Sequence, residues 1–270
     1  MKRIIYLLPI VALFGGVQSC CCDKDDDNNS APVAAPAIQP NGDLAVDLGL
    51  SVRWATCNVG ANTPEEYGDY YAWGDTTTYY EPGYAQEKPQ NHWKEGKIGY
   101  NWSSYKYCNG SENTLTKYCS DSDYGNIDSD TTLLPIDDVA HYKWGGNWRM
   151  PTRAEFEELL DSCDCNFTTQ NGVDGLKVTS KKDSSKSIFL PAAWSYYNTS
   201  LGGGGSLGYY WSSSLNLHHP YYAWYLIFNS NISGTNYSGR FSGHTVRPVC
   251  PYNLHHRHPK THRFCHRLYD

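Results

Sequence analysis

The sequence has little charge, little methionine and no long apolar run. Charged residues make up 19% of the 270, and Lys+Arg 22 against Asp+Glu 28 leaves a formal net charge of -6. Without a basic excess there is no surface for a phosphate backbone, which excludes nucleic acid as a partner. The best apolar stretch, Ile4 to Phe14, runs into Gly15-Gly16 and falls short of the about 18 residues of a membrane span. Paired CxxC motifs of a zinc site are missing. No Ser-His-Asp or Cys-His arrangement stands out by spacing, and Gly202-Gly203-Gly204-Gly205 lacks the helix start and Lys of a phosphate-binding loop. No catalytic residue, metal site or cofactor is therefore expected, and the chain is not read as an enzyme. The sharpest deficit is local: between Ser212 and Cys250 there is no Lys, Glu, Gln, Asp or Met, and the only charges are Arg240 and Arg247.

What is abundant is aromatic. The chain has 23 Tyr and 9 Trp, and 14% aromatic residues suffice for a packed core, which excludes general disorder. At the N-terminus, Lys2 and Arg3 ahead of the apolar run mark residues 1–19 as a secretory signal peptide. Val17-Gln18-Ser19-Cys20 resembles a bacterial lipobox, with Cys20 as the lipidated residue that joins the protein to a membrane. The acidic run Asp23-Lys24-Asp25-Asp26-Asp27 resembles the tract that carries lipoproteins of Bacteroidetes-type bacteria to the outer face of the outer membrane. Residues 20–43, rich in Asp, Asn, Ala and Pro, read as a tether. A surface-exposed outer-membrane lipoprotein is the expected location.

Residues 44–251 read as one α+β domain with one or two short helices, short antiparallel strands and long irregular loops. Ser51 to Thr56 alternates as a half-buried strand does. Thr63-Pro64-Glu65-Glu66 predicts a short helix over 64–71, and residues 75–145 predict a long irregular excursion. Thr152 and Glu155 form a capping-box signature ahead of Phe156, Leu159 and Leu160, the clearest helix in the chain. Strands are predicted at 176–179, 187–190, 209–213, 223–229 and 242–249. In an oxidising compartment Cys57, Cys108, Cys119, Cys163, Cys165 and Cys250 would be expected to form bridges, although spacing does not choose the pairs and Cys163 is too near Cys165 to bond it. Asp121, Asp123, Asn126, Asp128 and Asp130 cluster without EF-hand spacing and read as a solvated acidic loop rather than a calcium site. Residues 252–270, with His258, His262, His266 and Cys265, read as a disordered basic tail.

Six segments carry a family resemblance: Trp54 to Ala61, Tyr67 to Gly74, Trp144 to Thr152, Phe189 to Ala193, Tyr210 to Ser214 and Val246 to Val249. In that order they resemble the Fibrobacter succinogenes major paralogous domain family. The resemblance implies a C-type-lectin-like fold, related to that of formylglycine-generating enzymes, in secreted or lipid-anchored bacterial proteins. The family has no settled activity.

The final strands hold the functional signal. Between a skeleton of Ala223, Leu226, Phe228, Arg240, Gly243 and Val246 to Val249 sit His218, His219, Tyr221, Tyr222, Tyr225, Ile227, Tyr237, Ser238, Phe241, Ser242 and His244. This layout resembles the variable region of retroelement-diversified proteins, in which adenines of Asn codons are altered, and all eleven residues belong to the set such changes reach. Alternation over 223–228 predicts Leu226 and Phe228 toward the core and Tyr225 and Ile227 toward solvent. Tyr and Ser on a rigid frame make good contact surfaces, because Tyr offers a large amphipathic area with few rotamers. The expected partner is a protein or glycan ligand. A fixed glycan-binding adhesin and a formylglycine-generating-type enzyme are the competing readings.

Overall fold

A computed structural model describes residues 45–78, 99–202 and 205–252, all within the compact unit Pro36–Asp270; a second unit, Met1–Ala35, lies outside the described residues. The signal peptide, Cys20, the tether and residues 253–270 of the tail also lie outside them.

The elements, in chain order, are β1 (Ala45–Val46), β2 (Arg53–Ala55), α1 (Val139–Trp144), α2 (Arg153–Ser162), β3 (Cys163–Gln170), β4 (Val173–Ser180), β5 (Ser187–Pro191), β6 (Tyr196–Tyr197), β7 (Ser200–Leu201), β8 (Gly208–Leu215), β9 (Tyr222–Phe228), β10 (Ser233–Gly239) and β11 (Val249–Cys250). They pair antiparallel in small sheets of order β1-β2-β11, β3-β4-β5, β10-β9-β8 and β6-β7. Two helices among small antiparallel sheets make an α+β domain.

The capping box forms as its residues require. Thr152 Oγ1 accepts from the Glu155 amide at 3.3 Å, and Glu155 accepts from the Thr152 amide at 2.8 Å. Phe156 and Leu159 of α2 then enter a core with Trp54, Leu176, Val178, Leu190, Tyr210, Leu226 and Phe228. A second core holds Trp73, Tyr118, Val139, Met150, Trp211, Tyr225 and Val246. Strand β9 supplies both, with Leu226 and Phe228 on one face and Ala223 and Tyr225 on the other. Complete burial of a side chain such as Leu226 or Phe228 is worth about 1.5–3 kcal/mol.

The six motif segments are stitched to one another. Ala55 donates to Pro248 O at 2.9 Å, Val59 to Val246 O at 3.0 Å, and Arg149 and Val249 exchange amide bonds. The indole of Trp211 donates to Tyr71 O and that of Trp73 to Ser212 O, both at 2.8 Å. Fully buried Arg247 donates to Ala55 O, Thr56 O, Phe189 O and Asn58 Oδ1, so its charge is shared among oxygens of two other segments.

Three expectations are corrected. Residues 64–71 form turns and extended chain rather than a helix. Glu66 caps the Asn62 amide, Gly68 takes φ 72 with Val59 O 2.4 Å from where a Cβ would sit, and Tyr71 bridges to His244. That path buries Tyr70, Tyr71, Ala72 and Trp73 in succession, which a helix with one apolar stripe cannot do. Residues 242–249 do not make one strand: Gly243, His244 and Thr245 bridge to Tyr196, Tyr71 and Tyr210 in turn, and only Val249 and Cys250 join a sheet. The chain there is wedged between sheets and changes partner at each residue. Among the described residues the six body cysteines are not joined to one another by bridges; they lie within or against packed elements. In the described part of the 75–145 excursion, the only named element is α1.

Candidate functional site

The eleven interposed residues fall into three environments. His218, His219 and Tyr237 are exposed; Tyr221, Tyr222, Ile227, Ser238 and Phe241 are half-buried; Tyr225, Ser242 and His244 are buried.

One group is a continuous surface of rings. Register places Tyr237 of β10 opposite Trp224 of β9, with Tyr222 two residues before Trp224 on the same face. Their centroids lie 5.4 Å (Trp224–Tyr237) and 5.2 Å (Tyr222–Tyr237) apart. Tyr221 continues the row 4.3 Å from Tyr222, His219 lies 5.7 Å from Tyr221, and Tyr124 reaches Tyr221 from a distant loop at 4.9 Å. At the other end the Arg153 guanidinium lies 3.5 Å over the Trp224 ring, held there by Glu157 at 2.7 Å. Glu157 also accepts from Thr235 of β10, so α2 fixes this end of the sheet.

The loop that carries His218 and His219 is tied down from beneath. Asn216 Oδ1 accepts from both of their amides, at 3.1 and 3.3 Å. Fully buried Arg240 donates to Pro220 O, Tyr118 O, Lys117 O and the Tyr105 hydroxyl, each at 2.9 Å, and its own amide donates to Tyr221 O. Both arginines of this stretch anchor backbone carbonyls. Burial pushes the Asp137 carboxyl up, but hydrogen bonds from Lys117, Tyr107 and Tyr118 outweigh that and leave its pKa at about 2. The loops behind the ring surface are thus locked by satisfied buried charge.

Two predicted positions lie elsewhere. Phe241 belongs to a separate group with Trp102 at 4.9 Å and Tyr197 at 5.4 Å, while the Ser238 and Ser242 hydroxyls lie 3.2 Å apart nearby. Tyr225 and His244 pack inside, with His244 between Tyr209, Trp211 and Tyr225 at 5.3, 4.0 and 5.0 Å. Ile227 is half-buried against the same core. The expectation that Tyr225 and Ile227 face solvent is therefore corrected: that face of β9 is covered by residues from 59–73, 118–140 and 246, and the exposed rings stand at the far end of the Leu226 face.

Trp224, Arg153 and Tyr124 join the surface without having been singled out by sequence. Trp224 carried a usable signal, two residues from Tyr222 on one strand parity; Tyr124 carried none. Several acids of the helix and of the acidic loop are engaged structurally. Glu155 caps α2, Glu158 accepts from Ser51 N at 2.9 Å, and Asp128 accepts from the Tyr118 and Asp130 amides. No protein-family model, no curated protein and no solved structure matches this chain.

Proposed function

We propose that the chain is a ligand-binding module of the bacterial cell surface, tethered through a lipid on Cys20, that presents the His219–Tyr221–Tyr222–Tyr237–Trp224 ring surface to a protein or glycan. The observation that carries the reading is the unbroken run of ring contacts on a strand pair whose loops are anchored by Arg240. Aromatic groups on a rigid frame lose little entropy on binding, and half-exposed rings rimmed by polar chain are where binding energy concentrates. Two helices with small antiparallel sheets support a C-type-lectin-like version of the α+β domain, as the motif resemblance implies. Burial raises the thiols of Cys57, Cys163, Cys165 and Cys250, which favours binding over thiol catalysis. The lack of acidic or Lys side chains on β9 and β10 favours a neutral ligand, and sugar rings stacking on Trp224 and Tyr237 are the second reading.

The test is the full chain on a glycan array and on an array of purified surface proteins, beside the Tyr222→Ala/Tyr237→Ala variant. The variant trims the surface without reaching either core and should lose about tenfold or more of the signal. Undiminished signal, or silence of the native chain on both arrays, counts against the proposal. Signal confined to one defined sugar selects the adhesin. Diversification is tested by the neighbouring DNA, which must hold a reverse transcriptase and a near-copy of this region differing at adenines.

A further inference from the structure

The segment Trp144 to Trp148 takes no part in the ring surface, yet it borders a cavity of about 250 Å³. The remaining wall comes from Arg53 of β2 and Cys250 of β11, which are paired in register, and from Pro251. None of the lining residues is acidic.

Arg53 differs from every other arginine among the described residues. Arg149 is paired with Glu155 and Arg153 with Glu157, while Arg240 and Arg247 spend their donors on oxygens. The Arg53 Nε is buried without a partner, no carboxylate among the described residues lies within ion-pair distance, and its side-chain polar contact is the Cys250 thiol. The Asp47 carboxylate, which feels the Arg53 charge, is itself taken by the Tyr252 hydroxyl at 2.6 Å and the Gly49 amide at 2.7 Å. A guanidinium left without oxygen acceptors at a cavity wall is suited to a bidentate anion.

Beside that cation the indoles of Trp144 and Trp148 meet edge to face, 5.0 Å apart at 87°, and form an apolar corner. The turn between them runs through Gly145 at φ 66 and Gly146 at φ 57, and a Cβ on either would meet nothing within 4 Å, so the turn leaves open room next to the rings. The volume lies below the roughly 300–1,000 Å³ of drug-sized sites, which limits a ligand to about one ring.

We infer that this cavity binds a small carboxylate carried on a single six-membered ring, with Arg53 taking the carboxylate and the Trp144–Trp148 corner packing against a face of the ring. Acidic sugars and aromatic acids share this chemistry. The site is separate from the ring surface of β9 and β10, and its fate does not depend on that reading.

The experiment is calorimetric titration of the full chain with sodium glucuronate and sodium benzoate, beside their neutral counterparts glucose and benzyl alcohol. Ligands this small are run to about 10 mM, because few atoms give only millimolar binding. One acid should bind about tenfold or more tighter than its neutral counterpart, and which acid does so names the source. Arg53→Gln should abolish that preference, and Trp148→Ala should weaken the acid about tenfold. Tyr222→Ala/Tyr237→Ala should change nothing. Absence of binding by both acids overturns the inference, as does binding that Arg53→Gln leaves intact. Should Arg53→Gln fail to fold, undiminished binding by a folded Trp148→Ala does the same.

Discussion

Neither ring nitrogen of His244 meets a hydrogen-bond partner among the described residues, and the imidazole is wholly enclosed by aromatic rings. Burial disfavours the charged form and drives its pKa down to about 3, against about 6.5 in the unfolded chain. The unfolded state therefore holds the extra proton between those values. The stability tied to neutral His244 is complete above about pH 6.5 and is lost as pH falls toward 3. His244→Phe removes the titration and keeps a ring in the cage. Its stability relative to the native chain, read from urea unfolding, should gain about 2 kcal/mol between pH 7.5 and pH 5. A difference that stays constant over that range would rule out a buried neutral imidazole. Burial also bears on diversification: Tyr225, Ser242 and His244 belong to the permitted residue set, yet free variation at these three positions would strike the core.

At the scale of elements, α2 joins both regions of interest. Its first turn holds the capping box, and Arg153 at its first position stacks on Trp224. Thr152→Ala removes an N-cap acceptor and should cost about 1 kcal/mol of unfolding free energy, while Thr152→Ser should retain most of it. Equal denaturation midpoints for Ala and native would mean that the cap adds nothing. This helix was legible because a capping box and an i, i+3, i+4 stripe are local signals. The strands at 176–179, 187–190, 209–213 and 223–229 were legible for the same reason. Cys163, Cys165 and Phe167 also alternate with polar residues in β3, but that pattern reads weakly when two of the apolar positions are cysteines. The polar β10, Ser-Gly-Thr-Asn-Tyr-Ser-Gly, was not legible at all. It is a strand because β9 offers a free edge, and pairing supplies what propensity does not.

Over the whole molecule, the described domain combines two large cores and two smaller ones, all containing aromatic rings, with six cysteines that are not bridged to one another. Cys57, Cys119, Cys163 and Cys250 are buried, and burial pushes the Cys165 thiol up to about 11. Iodoacetamide at neutral pH should therefore leave Cys57, Cys119 and Cys163 unmodified in the native protein and label them in urea, as read by peptide mass spectrometry. Prompt native labelling of Cys57 or Cys119 would contradict the packing described. No helix of the described residues is long and apolar enough to cross a membrane.

Sequence by itself determined the α+β class, the capped helix, and the stretch without acids or Lys in which most of the ring surface lies. Each is written in near neighbours along the chain or in plain composition. Only the tertiary structure decided which rings reach solvent. A period of two says that successive residues of β9 point in opposite directions, but which direction is covered depends on chain more than eighty residues away. Here both faces are covered at Ala223 and from Tyr225 to Phe228, and exposure begins beside the first turn of α2, at Trp224, Tyr222 and Tyr237.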